Sequence, residues 1–231
     1  MSSSQKVCVI YNGTPEGNQN IKKSRGIVMG ENWSENIDGI DNRVIYGEDV
    51  RKIKGLINIK GNNNYIFFDN NSILNNISIT IESNDNYIYI GKRSRVTFRC
   101  IQKLTNGNKL YIGDDTSIGG ANIINGEGKH IKIGNDCMLS YGIDIRGTDS
   151  HAIFEIKNNE RVNHAKDIII DDHVWIGAHA TILKGTHIRK NSVLAIRAVI
   201  SNKLEKSNVV LAGNPARIVK ENITWDRPLL G

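Results

Sequence analysis

Long apolar runs are missing from this chain of 231 residues. No stretch approaches the roughly 20 apolar residues that cross a bilayer as a helix, so no transmembrane segment is expected. The opening Met1-Ser2-Ser3-Ser4-Gln5-Lys6-Val7-Cys8-Val9-Ile10 holds an apolar stretch too short for a secretory signal, and a cytoplasmic protein is expected. Cysteine is scarce: Cys8, Cys100 and Cys137 form an odd set without CxxC or metal-ligand spacing. That excludes a disulfide framework and points to reduced thiols used in packing. Clustered basic residues are also missing. The formal net charge is +6, a sign that suits nucleic acid, coenzyme A or an acidic polysaccharide. Because the basic residues are dispersed and no RNP-like or zinc-finger pattern accompanies them, nucleic acid is not expected as a partner.

With 39% hydrophobic residues, length leaves one core or two open, and periodicity has to decide. Aliphatic residues recur every six positions at Ile170, Ile176, Ile182, Ile188, Leu194 and Ile200, with Val174, Ala180, Thr186, Ser192 and Ala198 held in phase between them. Six matches neither the 3.6 of a helix nor simple alternation. It matches a coil of three short strands joined by turns, each strand sending one aliphatic side chain inward. The same phase is present at Ile112 and Ile118 and at Ile133, Leu139 and Ile145, with Gly113 and Gly134 after their leading isoleucines.

A longer repeat precedes it. Segments starting at Asn64, Asn86, Asn108 and Lys129 recur at intervals of 22, 22 and 21 residues and read as wider, less regular coils. Their Asn- and Gly-rich turns suit the left-handed backbone of tight corners. A β-sandwich is the alternative, but its strands would alternate without this fixed register. The reading is therefore all-β, a left-handed parallel β-helix over 56–212, with 1–55 as a cap or irregular first coil and 213–231 as a C-terminal tail. Arg43-Val44-Ile45-Tyr46 is a candidate strand of that first coil.

The phase fails once. The inward positions after Ile145 are occupied by His151, Lys157 and Asn163, side chains that a narrow aliphatic core does not accept without partners. Residues 151–166 are accordingly expected to leave the solenoid as a loop, where chemistry tends to sit.

Four stretches carry a family resemblance: Gly147-Thr148-Asp149-Ser150-His151, Glu160 through Asp167, Asp172-His173-Val174-Trp175-Ile176-Gly177, and Ala212-Gly213-Asn214-Pro215-Ala216-Arg217 through Ile223. They resemble the left-handed β-helix acyltransferases, within them the bacterial O-acetyltransferases of surface polysaccharides, and most of all those of sialic-acid capsules. The resemblance implies acetyl transfer from acetyl-CoA to a sugar hydroxyl, no metal, and a homotrimer with sites between subunits, acting on an anionic glycan. It implies that His151 is the general base, a task for which imidazole is suited near neutral pH, with Asp149 to orient it. Trp175 precedes the inward Ile176, so alternation turns its indole outward. The resemblance places that indole in an active site between subunits or in the packing beside it. Gly177, Ala178, Ala195, Arg197, Lys203, Arg217 and Lys220 are the implied contacts of acetyl-CoA, small residues for close approach and basic ones for the phosphates. Ser150 is not expected to act as a nucleophile, since neighbours on an extended strand point apart.

Other readings stay open on these residues. One is a metal-dependent lyase similar to the gamma-class carbonic anhydrases, although His173, His179 and His187 do not converge easily within one chain. A second is a non-catalytic scaffold, and O-antigen or a small sugar are alternative acceptors.

Overall fold

Inward aliphatic side chains dictate the architecture. In the computed structural model, residues 9–10, 26–30, 32–103 and 105–229 are described, and among them the regular structure consists of strands without a helix. The strands stack as a left-handed parallel β-helix, a three-sided prism in which each coil hydrogen-bonds to the next.

Face one stacks Arg43–Tyr46, Tyr65–Phe68, Tyr87–Ile90, Lys109–Ile112, His130–Ile133, Ile168–Ile170 and His187–Ile188, with Val9–Ile10 paired beyond Arg43–Tyr46. Face two carries Arg51–Lys52, Ile73–Leu74, Met138–Leu139, Trp175–Ile176, Val193–Leu194 and Val209–Gly213. Face three carries Trp33–Asp38, Gly55–Lys60, Ile77–Ile81, Ile143–Arg146, Thr181–Leu183 and Val199–Ile200. The long strands Arg95–Lys103 and Ser117–Gly126 run round the edge between faces two and three and join them in one sheet. At the C-terminal end, Ala216–Glu221 turns back antiparallel on Val209–Gly213.

The core is a stack of isoleucines. Ile66, Ile88, Leu110, Ile131, Ile168 and their partners are all buried, because alternation along each strand sends every second residue inward. Small residues at the second inward position, Ala180 and Ala198, are also fully buried. Cys100 and Cys137 lie in this core, and burial pushes both thiols up to about 12, so they pack rather than react. Cys8 lies outside the described residues.

On face one the wider coils keep an unbroken register, whereas on the joined faces two and three the register shifts between Val96 and Phe98. Tyr65–Phe68, Tyr87–Ile90, Lys109–Ile112 and His130–Ile133 stack without a slip. Their regularity comes from a buried asparagine ladder at the edge between faces three and one. The Asn42 side-chain oxygen accepts from Asn64 N and Nδ2 at 3.0 Å, and Asn64 and Asn86 repeat this one coil on. Each asparagine thus satisfies the corner backbone of its neighbour, which offsets the cost of burying an amide. At the edge between faces one and two, a column of left-handed residues turns every coil, including Asn71, Asp115, Asp136 and His173.

Stacking begins before residue 56. Trp33–Asp38 pairs in parallel with Gly55–Lys60, and Arg43–Tyr46 with Tyr65–Phe68. Trp33, Tyr46 and Phe68 fill this end with aromatic contacts at 5.1–6.5 Å.

Candidate active site

The loop expected at 151–166 leaves the prism where the phase fails, at the edge between Ile143–Arg146 on face three and Ile168–Ile170 on face one. Its residues are mostly exposed, and Phe154 and Arg161 bridge across it. Glu127, in the turn of the preceding coil, anchors it. That carboxylate accepts from Arg161 Nη2 at 2.8 Å and from Thr148 Oγ1 at 2.7 Å. The Arg161 guanidinium, with help from Thr148 and the Ala165 backbone, holds the Glu127 carboxyl down at about 2.

His151 opens this loop and is exposed. Its carbonyl accepts from Asn163 Nδ2 at 2.8 Å, and the same nitrogen donates to Asp149 Oδ2 at 2.8 Å. Asp149 also receives Lys184 Nζ, which donates to the Asn163 carbonyl at 2.8 Å. Burial works against the Asp149 charge, but the bonds from Lys184 and Asn163 outweigh it and the carboxyl titrates below its ordinary range. Asp149 was expected to orient the His151 ring. In the fold it grips Lys184 and Asn163, and so it fixes the backbone from which the imidazole projects.

Trp175 stands on face two, 39% exposed beside a fully buried Ile176. The C-terminal segment braces it from behind. Trp225 packs 6.2 Å from the Trp175 ring and stacks on His173 at 4.2 Å, and its Nε1 donates to the His173 carbonyl at 2.9 Å. His173 is held in turn by Asp136 Oδ2 at 2.8 Å. Arg227 then pins the segment, donating to Ser117 Oγ at 2.8 Å, Cys137 O at 3.0 Å and Asp136 Oδ1 at 3.1 Å.

Within one prism these two groups are on opposite sides. The edge between faces three and one, where Glu127 and Lys184 tether the His151 loop, lies across the core from face two. Side chains of this length do not reach through a filled core, so a site that uses both needs a second chain.

Of the implied donor contacts, Gly177, Ala178, Ala195 and Arg197 form one ladder at the edge between faces two and three, with Gly177 N to Leu194 O at 2.7 Å and Arg197 N to Ala178 O at 2.9 Å. Gly177 has no room for a side chain, because a Cβ there would lie 2.5 Å from Ile196 N. Arg217 and Lys220 are exposed on the antiparallel strand that follows face two. Lys203 does not join them, for it pairs with His187 on face one. The Trp175 and Gly177 N–H groups are already bonded to the next coil. Among the described residues no group of three or more His, Cys, Asp or Glu side chains is placed to hold a metal. His173, His179 and His187 are paired separately with Asp136, Tyr141 and Asp171.

Sequence reasoning did not single out Glu127, Asn163, Lys184 or Arg227 as functional. Most of their partners are 10 to 112 residues away, and no spacing rule reaches that far.

No family model matches the chain. It is 40% identical over 114 residues to a polysialic acid O-acetyltransferase of Neisseria meningitidis, a match covering 49% of this chain and 53% of that protein, so the chain spans about half the length of this curated relative. Among solved structures, it is similar to the polysialic acid O-acetyltransferase OatWY, with 36% identity, a TM-score of 0.81 and coverage of 85% of this chain and 92% of that one. It is also similar to the polySia specific acetyltransferase NeuO, with 30% identity, a TM-score of 0.82 and coverage of 87% and 92%.

Proposed function

The chain belongs to the left-handed β-helix hexapeptide-repeat acetyltransferases, and on that premise we propose that it transfers acetyl from acetyl-CoA to a hydroxyl of a sialic-acid-containing capsule polysaccharide. The observation that carries this reading is the placement of an exposed His151 on a tethered loop across the prism from an outward Trp175. A homotrimer with three sites between subunits brings one chain's loop to the next chain's face two. The names of the relatives support the acceptor class, and the cytoplasm is the proposed compartment.

In this mechanism the acceptor hydroxyl gives its proton to the His151 imidazole while its oxygen attacks the thioester carbonyl. The tetrahedral intermediate carries its negative charge on the former carbonyl oxygen, which a backbone N–H near Trp175, other than those of Trp175 and Gly177, stabilises. Collapse breaks the carbon–sulfur bond, and the leaving thiolate takes the proton from the imidazolium. The products are the sugar acetyl ester and coenzyme A. Asp149, Asn163 and Lys184 hold the His151 backbone, while Trp225 and His173 hold Trp175. Gly177, Ala178, Ala195 and Arg197 line the donor groove, Arg217 and Lys220 meet its phosphates, and Lys203 approaches from the neighbouring chain.

Subunit mixing tests this. His151→Ala and Trp175→Ala chains, each inactive alone, are unfolded and refolded together. Sites that join two chains regain activity in about a quarter of positions under random assembly. No recovery from a correctly assembled mixture refutes the shared site. Thiol release from acetyl-CoA with sialic acid polymer, followed by mass spectrometry of the glycan, tests the reaction itself.

A further inference from the structure

Face one presents, on its outer side, a column of basic and aromatic residues. The first residue of each successive strand is Arg43, Tyr65, Tyr87, Lys109 and His130, in unbroken register. All five point outward, since the residues that follow the last four, Ile66, Ile88, Leu110 and Ile131, are buried in the core. Arg43, Lys109 and His130 are exposed. Tyr65 and Tyr87 stack with ring centroids 5.4 Å apart and planes 2° from parallel. Each ring covers one face of the other, an aromatic stack of the offset kind. Burial, with Tyr65 and Tyr111 nearby, raises the Tyr87 phenol, so it stays a protonated donor.

The column leads into the candidate site. His130 N donates to Asp167 Oδ1 at 2.9 Å at the root of the loop, and Glu127, three positions before His130, anchors that loop. Acids line both edges of the face: Asp69, Asp114 and Asp172 lie toward face two, and Asp41, Asp85 and Asp167 lie at the edge beside the column. Beside the column, Asp85 accepts from Asn63 Nδ2 at 2.6 Å and Asp167 accepts from the His130 amide.

We propose that Arg43, Tyr65, Tyr87, Lys109 and His130 form an accessory binding track for the acceptor polymer, a chain of acidic sugars whose reacting unit lies at His151. This rests on the acetyltransferase reading above. Cations spaced along the track meet the carboxylates, and the tyrosines meet ring hydroxyls. The five rungs span about 19 Å at roughly 4.8 Å per strand, enough for several sugar units beyond the one that reacts. Such a track raises affinity for long acceptors and leaves the chemical step alone.

The test compares wild type with an Arg43→Glu/Lys109→Glu double variant and a Tyr65→Ala/Tyr87→Ala double variant on acidic sugar oligomers from a dimer to a long polymer. The expected result is a KM for the polymer raised about tenfold by the charge reversals, with the dimer's KM and every kcat unchanged. Equal losses on dimer and polymer, or no loss on the polymer, overturn the proposal. Titration calorimetry with unacetylated polymer and no acetyl-CoA reads the track without the reaction, and the charge reversals are expected to weaken it about tenfold. Unchanged polymer binding refutes the track. A chain that binds the polymer but acetylates no acidic sugar refutes the acetyltransferase reading instead. If sedimentation shows that the variants lose their assembly state, the column belongs to a contact with a second copy and the proposal is also overturned.

Discussion

Replacing Glu127 by glutamine removes a charge at the root of the His151 loop and nearly keeps the shape. The carboxylate now accepts from Arg161 Nη2 at 2.8 Å and Thr148 Oγ1 at 2.7 Å, with the Ala165 amide at 3.4 Å. A hydrogen bond to a charged group contributes about 1.5–3 kcal/mol. The pair sits where water still reaches it, with 26% and 17% of the side chains exposed, and screening reduces the net loss to about 1–2 kcal/mol. That is a factor of about 5–30 in the ratio of anchored to free loop. Hydrogen exchange of the loop amides is expected to accelerate by that factor, and kcat to fall by up to the same amount, while KM for acetyl-CoA and the melting temperature of the prism hold steady. The sign with pH follows from linkage. The folded carboxyl titrates at about 2 against an ordinary 4.5, so its contribution is fully present above about pH 4.5 and is lost as pH falls toward 2. The glutamine variant should therefore differ from wild type by the same factor at every pH from 5 to about 9, and the difference should shrink only in acid. Loop exchange and kcat within twofold of wild type would refute the reasoning, as would a melting temperature that falls as far as the loop loosens.

His151→Ala is expected to lower kcat by about 10²–10⁴ with an unchanged melting temperature, since the ring is exposed; circular dichroism and a rate assay check both. Ile133→Ala empties a fully buried site and should cost about 2–5 kcal/mol, which lowers the melting temperature by about 4–20 °C in a chain of this size. Gly113→Ala would place a Cβ 2.5 Å from Asn135 Oδ1 and 2.6 Å from the Gly134 carbonyl carbon, so the variant should melt lower by about 1–3 kcal/mol even though alanine is small. In a Cys8→Ser background the thiols of Cys100 and Cys137, raised to about 12 by burial, should resist a thiol reagent at pH 8 until denaturant is added, and rapid labelling of the native protein would contradict their placement.

The six-residue period was enough to read the prism, because a coil with three inward positions per turn permits little else in residues 168–200. It also showed where the coil is interrupted, since His151, Lys157 and Asn163 are misfits for an aliphatic core, and alternation alone turned Trp175 outward. The asparagine turns were legible as corners. Their regularity was not, because the ladder of Asn42, Asn64, Asn86 and Asn108 acts between coils 22 residues apart, a relation that exists only after the strands have stacked. The same reason hid Glu127, Lys184 and the partners of Asp149: which cation a carboxylate meets is settled by coils folded side by side. Local pattern specifies each rung from its own few residues, whereas the edge on which His151 stands, the tail that braces Trp175 and the column from Arg43 to His130 arise from the winding, which carries distant stretches of chain to one surface.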